Sequence, residues 1–162
     1  MPAPMLVGGG QERERRAGTQ NVAGIVGFAA AVRASVDDAE ERLARIDRLA
    51  TRLLEGLMAT IDGLRPTVPV ESRVPGIVHV LVPGVQSESL LFLLDQGDVS
   101  CSAASSCASG AQGASHVLSA MGLDTTGCAP LRLSLGWSTT DAEIDEALQR
   151  IPAAVAQLTG SV

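Results

Sequence analysis

One cysteine, Cys107, lies in a segment with the composition of an exposed loop. Residues 100–113 are Ser, Cys, Ala, Gly and Gln, and none has a large apolar side chain that requires a core. Such residues cost little to leave solvated, so we expect a mobile loop over 100–113 that carries the thiol. A thiolate is a strong nucleophile when it is exposed and has a cationic or dipolar neighbour. The composition therefore favours nucleophilic sulfur chemistry at Cys107 over the common alternative, a buried and inert thiol.

A second candidate is Arg132, the only arginine between Val74 and Gln149, a stretch that also lacks lysine. Residues 131–135 alternate apolar and polar side chains, which predicts a half-buried strand with Arg132 on its polar face. An isolated arginine on such a strand needs an anion, and the guanidinium suits a carboxylate. Two partners stay open at this stage: the carboxylate of a substrate, and a structural carboxylate such as Asp98.

The remaining cysteines and histidines form no pattern typical of a metal site. There is no Cys-x2-Cys or His-x3-His pair, and no Gly-x-Ser-x-Gly elbow of a serine hydrolase. Cys101 follows a predicted short strand and Cys128 falls in a predicted turn, so both suit nucleophilic chemistry less well than Cys107. His79 lies in an apolar strand and is expected to be a core or face residue. For His116, a site role and a capping or packing role both stay open.

The composition limits the class of protein. The chain has 162 residues, of which 46% are hydrophobic, so we expect one domain. A net charge of −6 and 2% aromatic residues argue against binding to nucleic acid or to an anionic membrane surface. No apolar run is long enough to span a bilayer, and the N-terminus lacks a signal peptide, which favours a soluble cytoplasmic protein. An odd number of cysteines, 3, argues against a disulfide framework.

The first part of the chain predicts a glycine-rich loop and two helices. Residues 8–21 form a loop with triple glycine, arginines and a Gly-Thr pair, and the small apolar residues 21–32 predict a buried helix. A long amphipathic helix is expected over 35–63, with Glu41 and Arg45 as one of its exposed ion pairs. Its apolar stripe consists of Val36, Ala39, Leu43, Ile46, Ala50, Leu53, Leu57, Ile61 and Leu64.

The second part predicts short strands alternating with helices. Strands are expected over 67–71, 76–82, 98–101 and 131–135, and helices over 87–94, over 114–121 and from Thr140 onward. Thr140 and Glu143 form the sequence pattern of a capping box. The expected fold is α/β (α+β), a small and largely antiparallel sheet covered by helices. We expect residues 1–34 to form an interface and active-site segment and residues 35–162 to form a small α/β domain.

Four motifs follow one another along the chain. They are Gly-Gly-Gly-Gln-Glu-Arg-x-x-Arg-x-Gly-Thr at 8–19, Cys-Ser-x-x-Ser-x-Cys at 101–107, Ser-His-Val-Leu at 115–118 and Leu-Arg-Leu-Ser-Leu-Gly at 131–136. In this order and spacing they resemble the NifS/IscS-type cysteine desulfurases, pyridoxal-phosphate enzymes of the class V aminotransferase, fold-type I group. The resemblance implies that these residues are the small C-terminal domain with the long bridging helix, and that the large cofactor-binding domain with its lysine is not among them.

The resemblance also implies roles for single residues. Cys107 matches the nucleophile that takes sulfur from L-cysteine as a persulfide and releases alanine, and Arg132 matches the arginine that binds the substrate carboxylate. Thr19 matches a threonine that reaches the pyridoxal phosphate of the other subunit in the family's homodimer. The sulfur would pass on to an acceptor such as an Fe-S scaffold protein. At Ala104 and Ser106 the chain departs from the commoner Gly and Ala, and both changes keep the residues small.

The basic residues set a limit on activity. The Lys+Arg count is 12 and every one of these residues is arginine. Pyridoxal phosphate is held as a Schiff base with a lysine amine, so we expect this chain alone to be inactive. We also expect the chain to associate, either as a homodimer or with a separate chain that carries the cofactor domain. Two other functions stay open: a non-catalytic persulfide carrier or dimerisation module derived from a desulfurase, and a selenocysteine lyase-like enzyme.

Overall fold

The computed structural model describes residues 3–103 and 115–160. The chain divides into two compact units, Met1–Ala39 and Glu40–Val162. The expected boundary, after residue 34, lies a few residues earlier. Within the part of the chain that is described, no helix is both long and apolar enough to cross a membrane.

The first unit contains one short 3-10 turn and one helix. The turn covers Gln11–Glu14, and helix α1 covers Val22–Val36. Asn21 caps α1, because its side chain accepts a hydrogen bond from the backbone N–H of Gly24 at 3.0 Å. The prediction that this helix is buried is wrong for the chain: none of its residues is buried, and Phe28 is 73% exposed. Its apolar side chains are thus available to a partner.

Helix α2 covers Ala39–Thr60, and all of it after Ala39 belongs to the second unit. The sequence predicted this helix to start at residue 35, which is wrong because α1 continues to Val36 and a turn at 37–38 separates the two helices. Asp38 has a φ of 57°, a left-handed conformation that aspartate tolerates better than most residues. The predicted apolar stripe is buried from Ile46 onward, whereas Val36 and Leu43 are exposed.

A three-stranded antiparallel sheet follows, with strand order β1, β2, β3. The strands are β1 Arg65–Pro66, β2 Ile77–Pro83 and β3 Cys128–Ser134. In the central pair, Val80 lies opposite Leu131 and His79 lies opposite Arg132. None of residues 67–71 and 98–101 is in a strand, so two of the predicted strands are wrong. The expected antiparallel sheet with helices is confirmed.

Three further helices complete the unit: α3 Ser87–Gln96, α4 His116–Ala120 and α5 Asp141–Thr159. The capping box at the start of α5 is formed by Thr140 and Glu143, as the sequence predicted. The core is shared by α2, α3, α5 and one face of the sheet. Its largest fully buried side chains are Leu49, Leu53, Leu57, Leu90, Leu94, Leu131 and Ile151.

One contact of α2 differs from the sequence prediction. Arg45 was expected to pair with Glu41 on the solvated face of the helix. Its guanidinium instead donates to the carbonyl oxygens of Thr139 at 2.7 Å and Trp137 at 2.5 Å. Arg45 therefore connects α2 to the segment between β3 and α5.

Candidate active site

The two faces of the sheet have different chemistry. Side chains alternate across a strand, so Val78, Val80 and Val82 lie on the core face, together with Leu131 and its neighbours on β3. The opposite face, called here the polar face, carries the residues between them in the same register. They are Arg65 on β1, Ile77, His79, Leu81 and Pro83 on β2, and Cys128, Pro130, Arg132 and Ser134 on β3. The charged side chains that the described strands place on this face are both cationic.

Arg132 is exposed on the polar face, as the alternation in the sequence predicted. Among residues 3–103 and 115–160 its guanidinium has no carboxylate within ion-pair distance. The structural alternative, an ion pair with Asp98, is not formed: the Asp98 carboxylate lies 3.8 Å from Arg150, which also donates to the carbonyl of Gly97. In the described part of the chain, Arg132 therefore has no structural carboxylate as its partner.

The chain that leads toward Cys107 is joined to Arg132 by backbone hydrogen bonds. The Arg132 N–H donates to the Ser102 carbonyl at 2.8 Å, and the Ser102 N–H donates to the Arg132 carbonyl at 3.1 Å. This isolated bridge is what the structure has in place of the predicted strand 98–101. Cys107 itself lies outside the described residues. Ser115, the next described residue after Ala103, is buried and precedes α4.

His79 is half-buried on the polar face, directly across the sheet from Arg132. Its ring Nδ1 lies 2.9 Å from the hydroxyl oxygen of Thr67, a buried residue that follows β1. The pKa of His79 lies below its ordinary value, because burial disfavours the charged ring and because the Arg132 guanidinium repels a second positive charge. The imidazole is therefore held neutral beside the arginine.

The two described cysteines have different surroundings. Burial raises the pKa of the Cys101 thiol, and the carboxylate of Asp95 raises it further. Cys101 is therefore poorly suited to act as a thiolate. Cys128 is partly exposed, and its sulfur lies 3.7 Å from a guanidinium nitrogen of Arg65. Cys128 is thus the described cysteine with an arginine beside its sulfur, and the assignment of Cys107 must be tested against it.

Thr19 belongs to the first unit and is exposed. The guanidinium of Arg16 donates to the backbone carbonyls of Thr19 at 2.6 Å and Gly18 at 2.9 Å. These two bonds fix the backbone on which the threonine hydroxyl is presented. His116, the other histidine considered from the sequence, is the exposed first residue of α4.

Sequence reasoning missed the contacts that join these residues. It assigned Arg132 to a polar strand face, but it gave His79 no partner and left Thr67 out. The sequence offered one signal, the alternation of side chains along each strand. When a strand that contains a histidine pairs with a strand that contains an arginine, that alternation can place both side chains on the same face of the sheet. The register that decides this is a long-range property of the pairing of β2 with β3.

A family model described as Aminotransferase class-V matches residues 7–147 of the chain. The IscS-like cysteine desulfurase of Mycobacterium tuberculosis is 42% identical over 156 residues, which make up 95% of this chain and 40% of that protein. The cysteine desulfurase NifS of Azotobacter vinelandii is 34% identical over 156 residues, 96% of this chain and 39% of that protein. The chain thus spans about 40% of the length of the curated relatives it matches.

Solved structures give the same relationship. A NifS-like protein matches with a TM-score of 0.79 at 33% identity, over 96% of this chain and 40% of that one. A NifS-like protein from Rickettsia africae matches with a TM-score of 0.71 at 25% identity, over 98% of this chain and 40% of that one. The expected fold, a part of a fold-type I protein, is confirmed by these matches.

Proposed function

The chain belongs to the aminotransferase class-V family, and we propose that it is a segment of a cysteine desulfurase in which Arg132 binds the substrate carboxylate and Cys107 accepts the sulfur. The observation that carries this proposal is the exposed Arg132 guanidinium, which has no carboxylate partner in the described part of the chain. The backbone bridge to Ser102 supports it further, because Ser102 shortly precedes Cys107 in the sequence. The names of the curated relatives favour the same substrate, L-cysteine.

The sulfur transfer requires one bond to form and one to break. The Cys107 thiolate attacks the sulfur of L-cysteine, an S–S bond forms, the C–S bond of the substrate breaks, and its carbon takes up a proton to give alanine. One thiol and one cysteine thus give one persulfide and one alanine, without any external oxidant. Arg132 contributes by fixing the carboxylate end of the substrate through charge-assisted hydrogen bonds.

The residues of this chain do not complete a site for pyridoxal phosphate, on which class V aminotransferases depend in general. The chain contains no lysine to hold the aldehyde. Thr19 is exposed on a backbone fixed by Arg16 and would supply a phosphate contact at most. In this proposal the lysine comes from protein outside this chain, and the cofactor would supply the electron sink that weakens the C–S bond of the substrate.

Association with a second polypeptide is part of the proposal. Helix α1 exposes a group of large apolar side chains, namely Val22, Ile25, Val26, Phe28, Val32 and Val36. An exposed apolar surface of this kind is typical of an interaction site. We propose that it pairs with a second copy or with the chain that carries the cofactor domain, and that the persulfide serves an acceptor such as an Fe-S scaffold in the cytoplasm.

A second candidate function is a non-catalytic persulfide carrier or dimerisation module. The missing lysine favours it, because without a cofactor the Cys107 thiol can still accept sulfur from a low-molecular-weight persulfide. The two functions differ in alanine production. A carrier becomes persulfidated without releasing alanine, whereas a desulfurase segment releases one alanine for each sulfur it takes.

The proposal is tested by adding a lysine-containing cofactor domain as a second chain, with pyridoxal phosphate and L-cysteine, and measuring alanine together with the mass of the protein. We expect alanine only when both chains are present, and a mass gain of one sulfur atom on the peptide that contains Cys107. Cys107→Ser should abolish alanine release, and Cys128→Ser serves as the matched control with activity retained.

Arg132→Gln should raise KM for L-cysteine by about tenfold or more, the effect of losing hydrogen bonds to a charged group. Parallel mixtures in which a low-molecular-weight persulfide replaces L-cysteine test the carrier, since that donor supplies sulfur already at the persulfide oxidation level. Persulfidation of Cys107 by that donor, with no alanine from L-cysteine in any mixture, would favour the carrier.

A further inference from the structure

His79 and Arg132 lie opposite each other on the polar face of the sheet. The Arg132 N–H and carbonyl bond to Ser102, and the His79 carbonyl accepts the Thr67 N–H at 3.1 Å, so the backbone polar groups of the two residues point away from each other. They therefore form a non-hydrogen-bonded pair. In such a pair the Cα atoms are about 4.5 Å apart, and the side chains are closer than in a hydrogen-bonded pair.

The hydroxyl of Thr67 fixes the tautomer of His79. It lies 3.2 Å from the His79 carbonyl oxygen and 2.9 Å from the ring Nδ1. A carbonyl oxygen can only accept and a hydroxyl has one proton to donate, so the Thr67 proton goes to the carbonyl. Nδ1 then carries the ring proton and donates to the hydroxyl oxygen. In a neutral ring this leaves the lone pair on Nε2.

The Nε2 atom of His79 is thus an acceptor next to a cationic donor. Burial and the Arg132 guanidinium hold the pKa of His79 below its ordinary value, so the lone pair is present at neutral pH. Among residues 3–103 and 115–160, no group donates to Nε2 and no carboxylate lies within ion-pair distance of Arg132. The hydroxyl of Ser134 is on the same face, but Ser134 lies opposite Ile77, farther along the strands.

A cationic donor beside a neutral acceptor is complementary to an α-amino acid, which carries a carboxylate and an ammonium group on one carbon atom. We infer that His79 is a specificity-determining residue whose Nε2 accepts a hydrogen bond from the α-ammonium group of the substrate while Arg132 binds the carboxylate, with Thr67 as the positioning residue for the ring. The inference rests on the proposed role of Arg132. It means that this face prefers α-amino acids to carboxylic acids that lack the amino group.

The test uses the 162-residue chain and needs neither cofactor nor turnover. The probe is L-serine, which has a hydroxyl in place of the thiol of L-cysteine, and its matched control is 3-hydroxypropanoate, which lacks only the amino group. The chain has 2 histidines, so long-range ¹H–¹⁵N correlation spectra contain two imidazole rings and report the tautomer of each. We expect the Nδ1–H tautomer at His79, and L-serine should shift its Nε2 signal and the Arg132 side-chain signals with one common Kd.

The expected preference for L-serine is about tenfold in Kd, the effect of one hydrogen bond to a charged group. 3-Hydroxypropanoate should shift Arg132 but leave the Nε2 signal of His79 nearly unchanged. Electrostatics alone predicts the opposite order, because 3-hydroxypropanoate is an anion, L-serine is a zwitterion and the charged side chains of this face are cationic. A preference for L-serine therefore requires an acceptor for its ammonium group.

Variants separate the roles. His79→Asn places no atom at the position of Nε2 and should abolish the preference for L-serine, whereas the side-chain oxygen of His79→Gln can reach that position and should retain most of it. Arg132→Gln should weaken binding of both ligands by about tenfold or more and raise the pKa of His79, since the repelling cation is gone. Ser134→Ala removes the other hydroxyl of the face and is the control with unchanged affinities.

Thr67→Val tests the positioning residue. It should abolish the single tautomer of His79 and weaken L-serine binding several-fold without changing the affinity for 3-hydroxypropanoate. Thr67→Ser, which retains the hydroxyl, should restore both properties. Core methyl signals that match those of the unmodified chain establish that each variant is folded.

Three results would overturn the inference. They are an Nε2–H tautomer at His79, a Kd for 3-hydroxypropanoate equal to or below that for L-serine, and an Nε2 signal that L-serine does not shift. The second result, together with shifted Arg132 signals, would leave arginine as the carboxylate-binding residue and alanine release in the two-chain assay intact. Conversely, a preference for L-serine without alanine release would contradict the proposed function alone, so failures of the two proposals are distinguishable.

Discussion

Helices α1 and α2 are consecutive in sequence but differ in what their apolar residues do. In α1, no residue of Val22–Val36 is buried, whereas α2 buries Ile46, Leu49, Ala50, Leu53, Leu54 and Leu57. The sequence of α1 is apolar around its whole circumference apart from Arg33 and Ser35, and α2 has a charged face opposite its apolar one. A helix that is apolar all round is stable in water only when it is covered on all sides. The second unit thus has a core of its own, whereas the apolar side chains of α1 belong to no core in the described part of the chain.

The largest expected effect is on the free energy of unfolding, when one large side chain is removed from each helix. Leu57→Ala removes a fully buried side chain and should lower the free energy of unfolding by about 2–5 kcal/mol, through lost burial and the cavity left behind. Phe28→Ala removes a larger side chain that is 73% exposed and should change the free energy of unfolding of the monomer by less than about 0.5 kcal/mol. Urea unfolding at low protein concentration measures the change in the free energy of unfolding for each variant. Similar changes for the two variants would contradict the contrast between the helices.

The next effect concerns association. Phe28→Asp places a charge within the exposed apolar residues of α1 and should weaken self-association or binding to a cofactor-domain chain by about tenfold or more, the effect of losing one large apolar contact. The control is Met58→Asp, at an exposed position of α2 in the second unit, which should leave association unchanged. Light scattering across a concentration series provides the measurement. Equal weakening by both variants would show that α1 is not the interface.

Much of the second unit could be predicted from the sequence because its signals are local. The periodic leucines of α2, the alternation of β3 and the capping box at Thr140 each depend on residues close together in the chain. The exposure of α1 could not be predicted in the same way. Its composition indicates a helix whose apolar side chains need to be covered. Whether they are covered depends on which other chain segments are present. The break at Asp38 was missed because left-handed aspartate has only a weak sequence signal.

The candidate site was predictable residue by residue but not as an arrangement. Arg132 was identified from its isolation among apolar and acidic residues, and its place on the polar face followed from strand alternation. The Thr67–His79 contact and the Ser102 bridge depend on the register of segments far apart in sequence, which no local pattern encodes. Asp98 was a reasonable alternative partner for Arg132, but it contacts Arg150 of α5, a pairing that also needs the tertiary fold.

A smaller effect is expected when the side-chain caps at the start of α5 and of α1 are removed. Thr140→Ala removes the hydroxyl that accepts the Glu143 N–H at the start of α5 and should lower the free energy of unfolding by about 1 kcal/mol, because α5 contributes to the core. Asn21→Ala removes the equivalent acceptor at the start of α1 and should reduce helical circular dichroism without moving the urea midpoint. Thr140→Ser retains the capping oxygen and is the control. A shift of the urea midpoint by Asn21→Ala would mean that α1 unfolds together with the core.

The smallest expected effect compares residues with left-handed backbone in the two units. Asp98 has a φ of 55° and Glu14 a φ of 62°, a conformation that costs residues with a Cβ roughly 1–2 kcal/mol and glycine almost nothing. Asp98→Gly should therefore raise the free energy of unfolding by a few tenths to about 1 kcal/mol, since the greater freedom of glycine in the unfolded chain offsets part of the relief. Asp98→Asn is the control. It removes the charge that faces Arg150 at 3.8 Å but keeps the side-chain shape, and it should have almost no effect because the Asp98 carboxylate is 92% exposed.

Glu14→Gly relieves the same strain in the first unit, where it should leave the urea midpoint of the core unchanged. The contrary result is that Glu14→Gly raises the urea midpoint of the core as much as Asp98→Gly does. In that case the two units unfold as one, and the exposure of α1 does not reflect a separately folding first unit.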